Sequence, residues 1–220
     1  MSVMMRMRMA WVATAMLGVA GCESPTLARP GFAYDPTSLT NGQVYRWASG
    51  SRVKVWIVPT SAGSGPDLAS AVATAVAEWN ALPVFREYRL EGAASITEAN
   101  IVVVARTAPV PLAPATACPF LPGGAGYTYI CPQGGRAVRL AANGAPTTAS
   151  VLISIDVGRA STQTALDAIV SHEFGHALGI GGHSLTAQDV MFGAPTIVTP
   201  SDRDAQTMQF LLGARPDVIL

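Results

Sequence analysis

Short strand-like stretches interleaved with helical ones, in a chain long enough for a single core, predict an α+β domain. Three observations carry this. The alternating, β-branched run from Arg52 to Pro59, RVKVWIVP, is followed after a polar turn by LASAVATAVAEWNAL, where Leu68, Val72, Val76 and Trp79 keep a helical period. Further strand-like stretches lie at 84–90, 100–106, 136–142 and 150–156. Two more helical stretches follow, one with the stripe Leu166, Val170, Phe174 and Leu178, the other from Ser201 to Leu212. With 220 residues, 50% hydrophobic and 13% charged, the chain suffices for one well-buried domain and is short for two.

Taken in order, residues 1–21 read as a secretory signal. Arg6 and Arg8 precede an apolar run from Met9 to Gly21 broken only by Thr14. That run is shorter than the roughly 20 residues a helix needs to cross a bilayer. It ends Val19-Ala20-Gly21-Cys22, which resembles the lipobox of bacterial lipoproteins, whose cysteine is acylated and becomes the mature N-terminus. Glu23 rather than aspartate follows, and by that resemblance the protein belongs to the bacterial cell envelope, with the outer membrane favoured and secretion as the alternative. Residues 22–45, rich in proline, glycine and small polar side chains, suit a tether, which leaves 46–220 as the folded domain.

Within that domain, residues 107–136 carry six prolines' worth of turn signals from Pro109 to Pro132 and read as a long irregular excursion. Cys118 and Cys131 lie inside it, and two cysteines in an exported chain are read by default as a disulfide, whose closure contributes on the order of 3 kcal/mol. Thr164, with Asp167 three residues on, reads as the capping pattern of the penultimate helix. Pro200-Ser201-Asp202 opens the last one, and Gly213 ends it. Charge excludes one class of partner. Of 14 basic residues, removal of Arg6 and Arg8 leaves 12 against 14 acidic ones, and a net −2 with Lys54 as the lone lysine gives no case for nucleic acid.

The chemistry is concentrated in residues 172–184, HEFGHALGIGGHS, which contain all 3 histidines. His172 and His176, four apart on a helix, lie on one face and can offer imidazole nitrogens to one tetrahedral zinc, with Glu173 placed between them as a general base that need not ligate. A helix cannot supply a third ligand at this spacing without turning back. Gly179 permits the turn, and Gly181-Gly182 can bring His183 round to the metal.

With Met191 in Asp189-Val190-Met191-Phe192, this pattern resembles the metzincin clan of zinc proteases, and Ser184 after the third histidine resembles its matrixin-like branch. His183 stands one residue later than that pattern places it, while the interval from His183 to Met191 matches. This reads as a one-residue insertion in which an added glycine bulges outward. The resemblance implies a metzincin-like catalytic domain: a twisted mixed sheet, an active-site helix and a C-terminal helix, with 136–142 as the edge strand that receives an extended peptide. It also implies one catalytic Zn2+ held by His172, His176 and His183, with Glu173 catalytic and Met191 packed beneath the metal. No histidine stands where matrixins hold a structural zinc, and Ca2+ is left open. The resemblance makes the segment Gly193 to Thr199 a border of the pocket after the cut bond, where Ile197 and Val198 suit an apolar side chain.

The function expected is therefore a zinc metalloendopeptidase acting on protein or peptide substrates, held at a membrane through lipid on Cys22. The competing expectation is a catalytically inactive, lipid-anchored binding or envelope-scaffold protein on the same fold. The residues carry no signal of oligomeric state. Mass spectrometry of the mature N-terminus should find it at Cys22 with acyl mass attached; a chain beginning elsewhere or lacking that mass refutes the anchor.

Overall fold

The computed structural model describes residues 31–59, 65–83, 87–106, 125–130 and 149–220, and the backbone of 120–123. In chain order the elements are β1 (Tyr45–Arg46), β2 (Arg52–Ile57), α1 (Leu68–Ala81), β3 (Arg89–Gly92), β4 (Ile101–Ala105), β5 (Phe120–Gly123) and β6 (Gly126–Ile130). There follow β7 (Val151–Ile155), α2 (Gln163–Ala177), α3 (Asp202–Gly213) and β8 (Val218–Ile219). The fold is mixed α+β, with one principal sheet in the order β3-β2-β4-β7-β6-β5. β2, β3, β4 and β7 run parallel, whereas β6 is antiparallel to both β7 and β5. A separate parallel pair joins β1 to β8. Among the described residues no helix is long and apolar enough to cross a membrane.

The sheet's helical face holds the main core. Val53, Val55, Ile101, Val103, Ile153 and Ile155 pack there against Leu68, Val72 and Trp79 of α1 and Leu166, Val170 and Phe174 of α2. Successive strand residues point to opposite faces, so Val102, Val104 and Leu152 fall into a second, smaller cluster. All five residues of β4 are buried, as suits a strand covered on both faces.

Each helix is bounded by an identifiable device. Asp67 caps α1 by accepting from Ala69 N at 3.2 Å and Ser70 N at 3.0 Å, and Pro83 forces Leu82 into extended backbone at the other end. In α1, Ala75 rather than Val76 completes the fully buried stripe. For α2 the cap is Thr162, which accepts from Ala165 N at 3.1 Å, so the helix begins before the expected Thr164. Asp167 instead accepts from Gln163 Nε2 at 2.7 Å, and the same Gln163 accepts from Asp67 N, tying the starts of α1 and α2 together. α3 has a full capping box between Ser201 and Asp204, and it includes Gly213 rather than stopping before it.

Two expectations are corrected and one strand falls outside the described residues. The stretch expected at 84–90 gives a strand only from Arg89, and 84–86 lie outside the described residues. Part of the excursion expected to be irregular at 107–136 is the antiparallel pair β5 and β6. Its turn signals hid the alternation in Gly126–Ile130, whose partner β7 is distant in sequence. The strand expected at 136–142, Cys118 and Cys131, Cys22 and the signal at 1–21 all lie outside the described residues. Of the expected tether, residues 31–44 pack on the domain as a strap: Tyr34 and Thr40 are buried, and Ala33 N donates to Thr207 Oγ1 of α3 at 3.3 Å.

Two buried carboxylates fasten α3 to the segment before it. Asp189 accepts from Ser184 Oγ, from Ser201 Oγ at 2.7 Å and from Arg203 Nε at 2.9 Å. Asp204 accepts from Val190 N at 2.8 Å, from Ser201 N at 2.9 Å and from Tyr34 OH at 2.6 Å. Burial alone would raise the pKa of Asp189, but the bonds from Ser184, Ser201 and Arg203 together with the Arg203 charge outweigh it and hold the carboxyl below its ordinary value. A carboxyl lowered in the folded state stabilises fully above its unfolded pKa of about 3.9, and the contribution fades as pH falls through the folded value. Asp189→Asn should therefore cost roughly 1–3 kcal/mol at pH 7. In denaturant titrations the gap to wild type should close below about pH 4; an equal gap at pH 3 and pH 7 refutes this role.

Candidate metal centre

α2 carries the first two ligand candidates because its i and i+4 positions face one way. The rings of His172 and His176 stand 4.8 Å apart by centroid, and both are fully buried. The helix then stops at Gly179, whose φ of 110° lies in the left-handed region. Gly179 N donates to His176 O and Ile180 N to Gly175 O, each at 3.0 Å, which closes the last turn. A side chain at Gly179 would also collide with Tyr45 O, 2.3 Å from where its Cβ would lie. After this reversal His183 returns to the helix, its ring 5.1 Å from each of the other two.

The orientation of the rings decides what the cluster can hold. His172 Nδ1 lies 2.8 Å from Val190 O and His176 Nδ1 lies 2.6 Å from Ile180 O. A carbonyl only accepts, so each Nδ1 carries the hydrogen and each Nε2 is left with a lone pair. Imidazoles that ligate a metal are commonly held this way. His176 Nε2 and His183 Nε2 approach to 3.2 Å, and one nitrogen from each of the three rings lies within 4.8 Å of the others. Buried His172 Nε2 has no hydrogen-bond partner among the described residues.

Protonation does not relieve this convergence near neutral pH. Burial pushes His172 down to about 4, drives His176 well below its ordinary value and lowers His183 as well; the neighbouring rings push His172 and His176 the same way. A neutral His183 with its hydrogen on Nε2 can donate to His176 Nε2, which still leaves His172 Nε2 unpartnered, whereas a divalent cation would engage all three nitrogens. Ligand nitrogens about 2.0–2.1 Å from a tetrahedral zinc stand roughly 3.3 Å apart, close to the His176–His183 separation. The donor set and the unpartnered nitrogen thus fit a metal ion. No protein-family model matches this chain, and no curated protein matches its sequence.

Glu173 shares the helix but faces another element. Thr128 Oγ1 on β6 donates to Glu173 Oε2 at 2.6 Å, while Oε1 is buried without a partner among the described residues. Gly126 lies on the same face of β6, and a Cβ there would stand 2.3 Å from Oε1. Burial raises the Glu173 pKa to about 8, opposed by the Thr128 bond and the Arg106 charge. Gly126 and Thr128 went unread in the sequence because nothing local marks them: only pairing with β7 brings that strand over α2.

The surrounding residues serve packing and orientation. Met191 is fully buried, and a Cβ on Gly175 would stand 2.1 Å from its Sδ, so the glycine admits the methionine against the helix between the two histidines. Ser184 N donates to Met191 O at 2.8 Å, joining the residue after His183 to that methionine. The expected outward bulge at Gly181-Gly182 is corrected: both are buried, and Cβ atoms there would stand 2.3 Å from Thr40 Cγ2 and 2.0 Å from Asp35 O. Val198 O accepts from Ser171 Oγ of α2 at 2.7 Å and Ile197 packs on the core, which holds that end of the segment against the helix. With zinc as the probe ion, replacing His183 by alanine should weaken any binding at the cluster by orders of magnitude, since three protein ligands are usual at such a site. Retention of one zinc per chain at nanomolar free metal would remove His183 from the ligand set.

Proposed function

We propose that the protein is a zinc-dependent endopeptidase of metzincin type, matrixin-like, carried to a bacterial envelope by lipid on Cys22. The observation that supports the reading is the convergence of three imidazole nitrogens beside a buried carboxylate with one oxygen unpartnered. His172, His176 and His183 would hold the ion, and Met191 would pack under it. The chemistry zinc supplies in such a site is Lewis acidity, which lowers the pKa of water and polarises a carbonyl.

The work left to the chain is proton handling and orientation. Glu173 takes the proton of the attacking water on Oε1 and returns it to the leaving amine. Thr128 holds Oε2, so that one carboxylate oxygen is fixed while the other acts. A raised pKa suits this exchange, because the group must both accept and release a proton near neutral pH. A peptide would bind extended, adding its backbone to the edge of the sheet. The complete burial of Glu173 favours a second reading, a metal-holding binding protein that performs no turnover.

One variant separates the two. Glu173→Ala in the mature chain should keep its zinc and its fold while losing peptide hydrolysis by about 10² to 10⁴-fold, the span typical of a general base. Cleavage of a denatured protein and a peptide library would be followed with and without chelator. If wild type binds zinc and cleaves nothing, or the variant cleaves equally well, the peptidase reading fails and the binding protein takes its place.

A further inference from the structure

Two pieces of backbone orient the three histidines. The loop Ile180–Gly182 gives its Ile180 carbonyl to His176 Nδ1 and leads directly into His183, while Val190 gives its carbonyl to His172 Nδ1. The strap of residues 31–44 touches the first directly and reaches the second through Asp204. Leu39 N donates to Gly181 O at 2.6 Å, and Asp35 O and Thr40 Cγ2 lie against Gly182 and Gly181 so closely that neither position has room for a Cβ. Further along, Tyr34 OH donates to Asp204 Oδ1 at 2.6 Å, and Asp204 Oδ2 accepts from Val190 N at 2.8 Å. Arg203, paired with Asp189, also donates to Ala33 O at 3.2 Å.

The strap has its own internal order. Thr40 N and Gly42 N both donate to Thr37 O, at 3.0 and 3.2 Å, and Thr40 Oγ1 donates to Gln43 O at 2.6 Å. Asn41 and Gly42 take left-handed φ values of 54° and 80° to turn the chain toward β1. It is therefore a shaped piece laid on the ligand loop.

We infer that the strap is a positioning element of the metal site, so that strap docking and metal binding at His172, His176 and His183 stabilise each other. A docked strap presses the Ile180–Gly182 loop into the one arrangement that aims His176 and His183 inward. Through Tyr34 and Asp204 it also holds the Val190 carbonyl that orients His172. Coupling between two sites is reciprocal, so metal bound at the histidines must tighten the strap by the factor by which the strap tightens the metal. The inference rests on the histidines holding a metal and is independent of peptide hydrolysis.

The test uses zinc alone, with affinity measured against a competing chelator and amide exchange read residue by residue. Zinc should slow exchange of the Leu39 amide in the mature wild-type chain, and a chain beginning at Gln43 should bind zinc at least tenfold more weakly. Tyr34→Phe, which removes one hydroxyl, should weaken it by about fivefold. Amides of β4 and β7 report whether the shortened chain is folded; if they lose protection, Tyr34→Phe decides. A Leu39 amide indifferent to zinc, together with wild-type affinity in the folded shortened chain or in Tyr34→Phe, overturns the inference while leaving the metal site standing. A wild-type chain that binds no zinc overturns both.

Discussion

An α-helix places two ligands one turn apart and cannot place a third beside them, and the architecture around the candidate site follows from that constraint. The chain has to reverse at the end of α2, and the reversal at Gly179 leaves a loop with little structure of its own. Everything packed on that loop serves to hold it. Met191 enters against Gly175, Ser184 is bonded to Met191 and Asp189, Asp189 is bonded to Ser201 and Arg203 at the start of α3, and Asp204 of α3 accepts from Val190 N. Asp204 of the capping box also accepts from the amides of Val190 and Met191, and so holds the backbone whose Val190 carbonyl orients His172.

Burial sets the electrostatics of the cluster. His172, Glu173 and His176 lie within the core, where a charge is costly, so the imidazoles are held neutral and the carboxyl is pushed toward its acid form. Neutral imidazoles are what a divalent cation requires of its ligands. A carboxyl with one oxygen bonded to Thr128 and the other unpartnered is a group whose proton occupancy a nearby charge can change. The glycines at 126 and 175 matter for their missing side chains: each admits a functional neighbour that a methyl group would displace.

Much of the fold was legible because its elements carry strong local patterns. The stripe Leu166, Val170, Phe174 and Leu178 is fully buried as its period implies, and β2, β4 and β7 fall where β-branched runs stand. The histidines were legible for the same reason, since a spacing of four on a helix has one geometric meaning. Where local signals conflicted, the reading slipped. The sequence marks Thr164 as the cap, whereas the backbone leaves the helix at Thr162, whose side chain accepts from Ala165 N. The glycines and proline near β5 and β6 suggested irregular chain although β6 pairs along its full length with β7.

By itself, then, the sequence determined the α+β class, the helix bearing His172 and His176, the stop at Gly179 and the return of His183, because each depends on residues close together in the chain. Tertiary structure alone decided that Thr128 meets Glu173, that Gly181 and Gly182 lie under the strap instead of bulging outward, and that Tyr34 reaches Asp204. Those contacts join residues far apart in sequence, where no periodicity or capping rule acts. They form only once the sheet and the two long helices have set the distances between them.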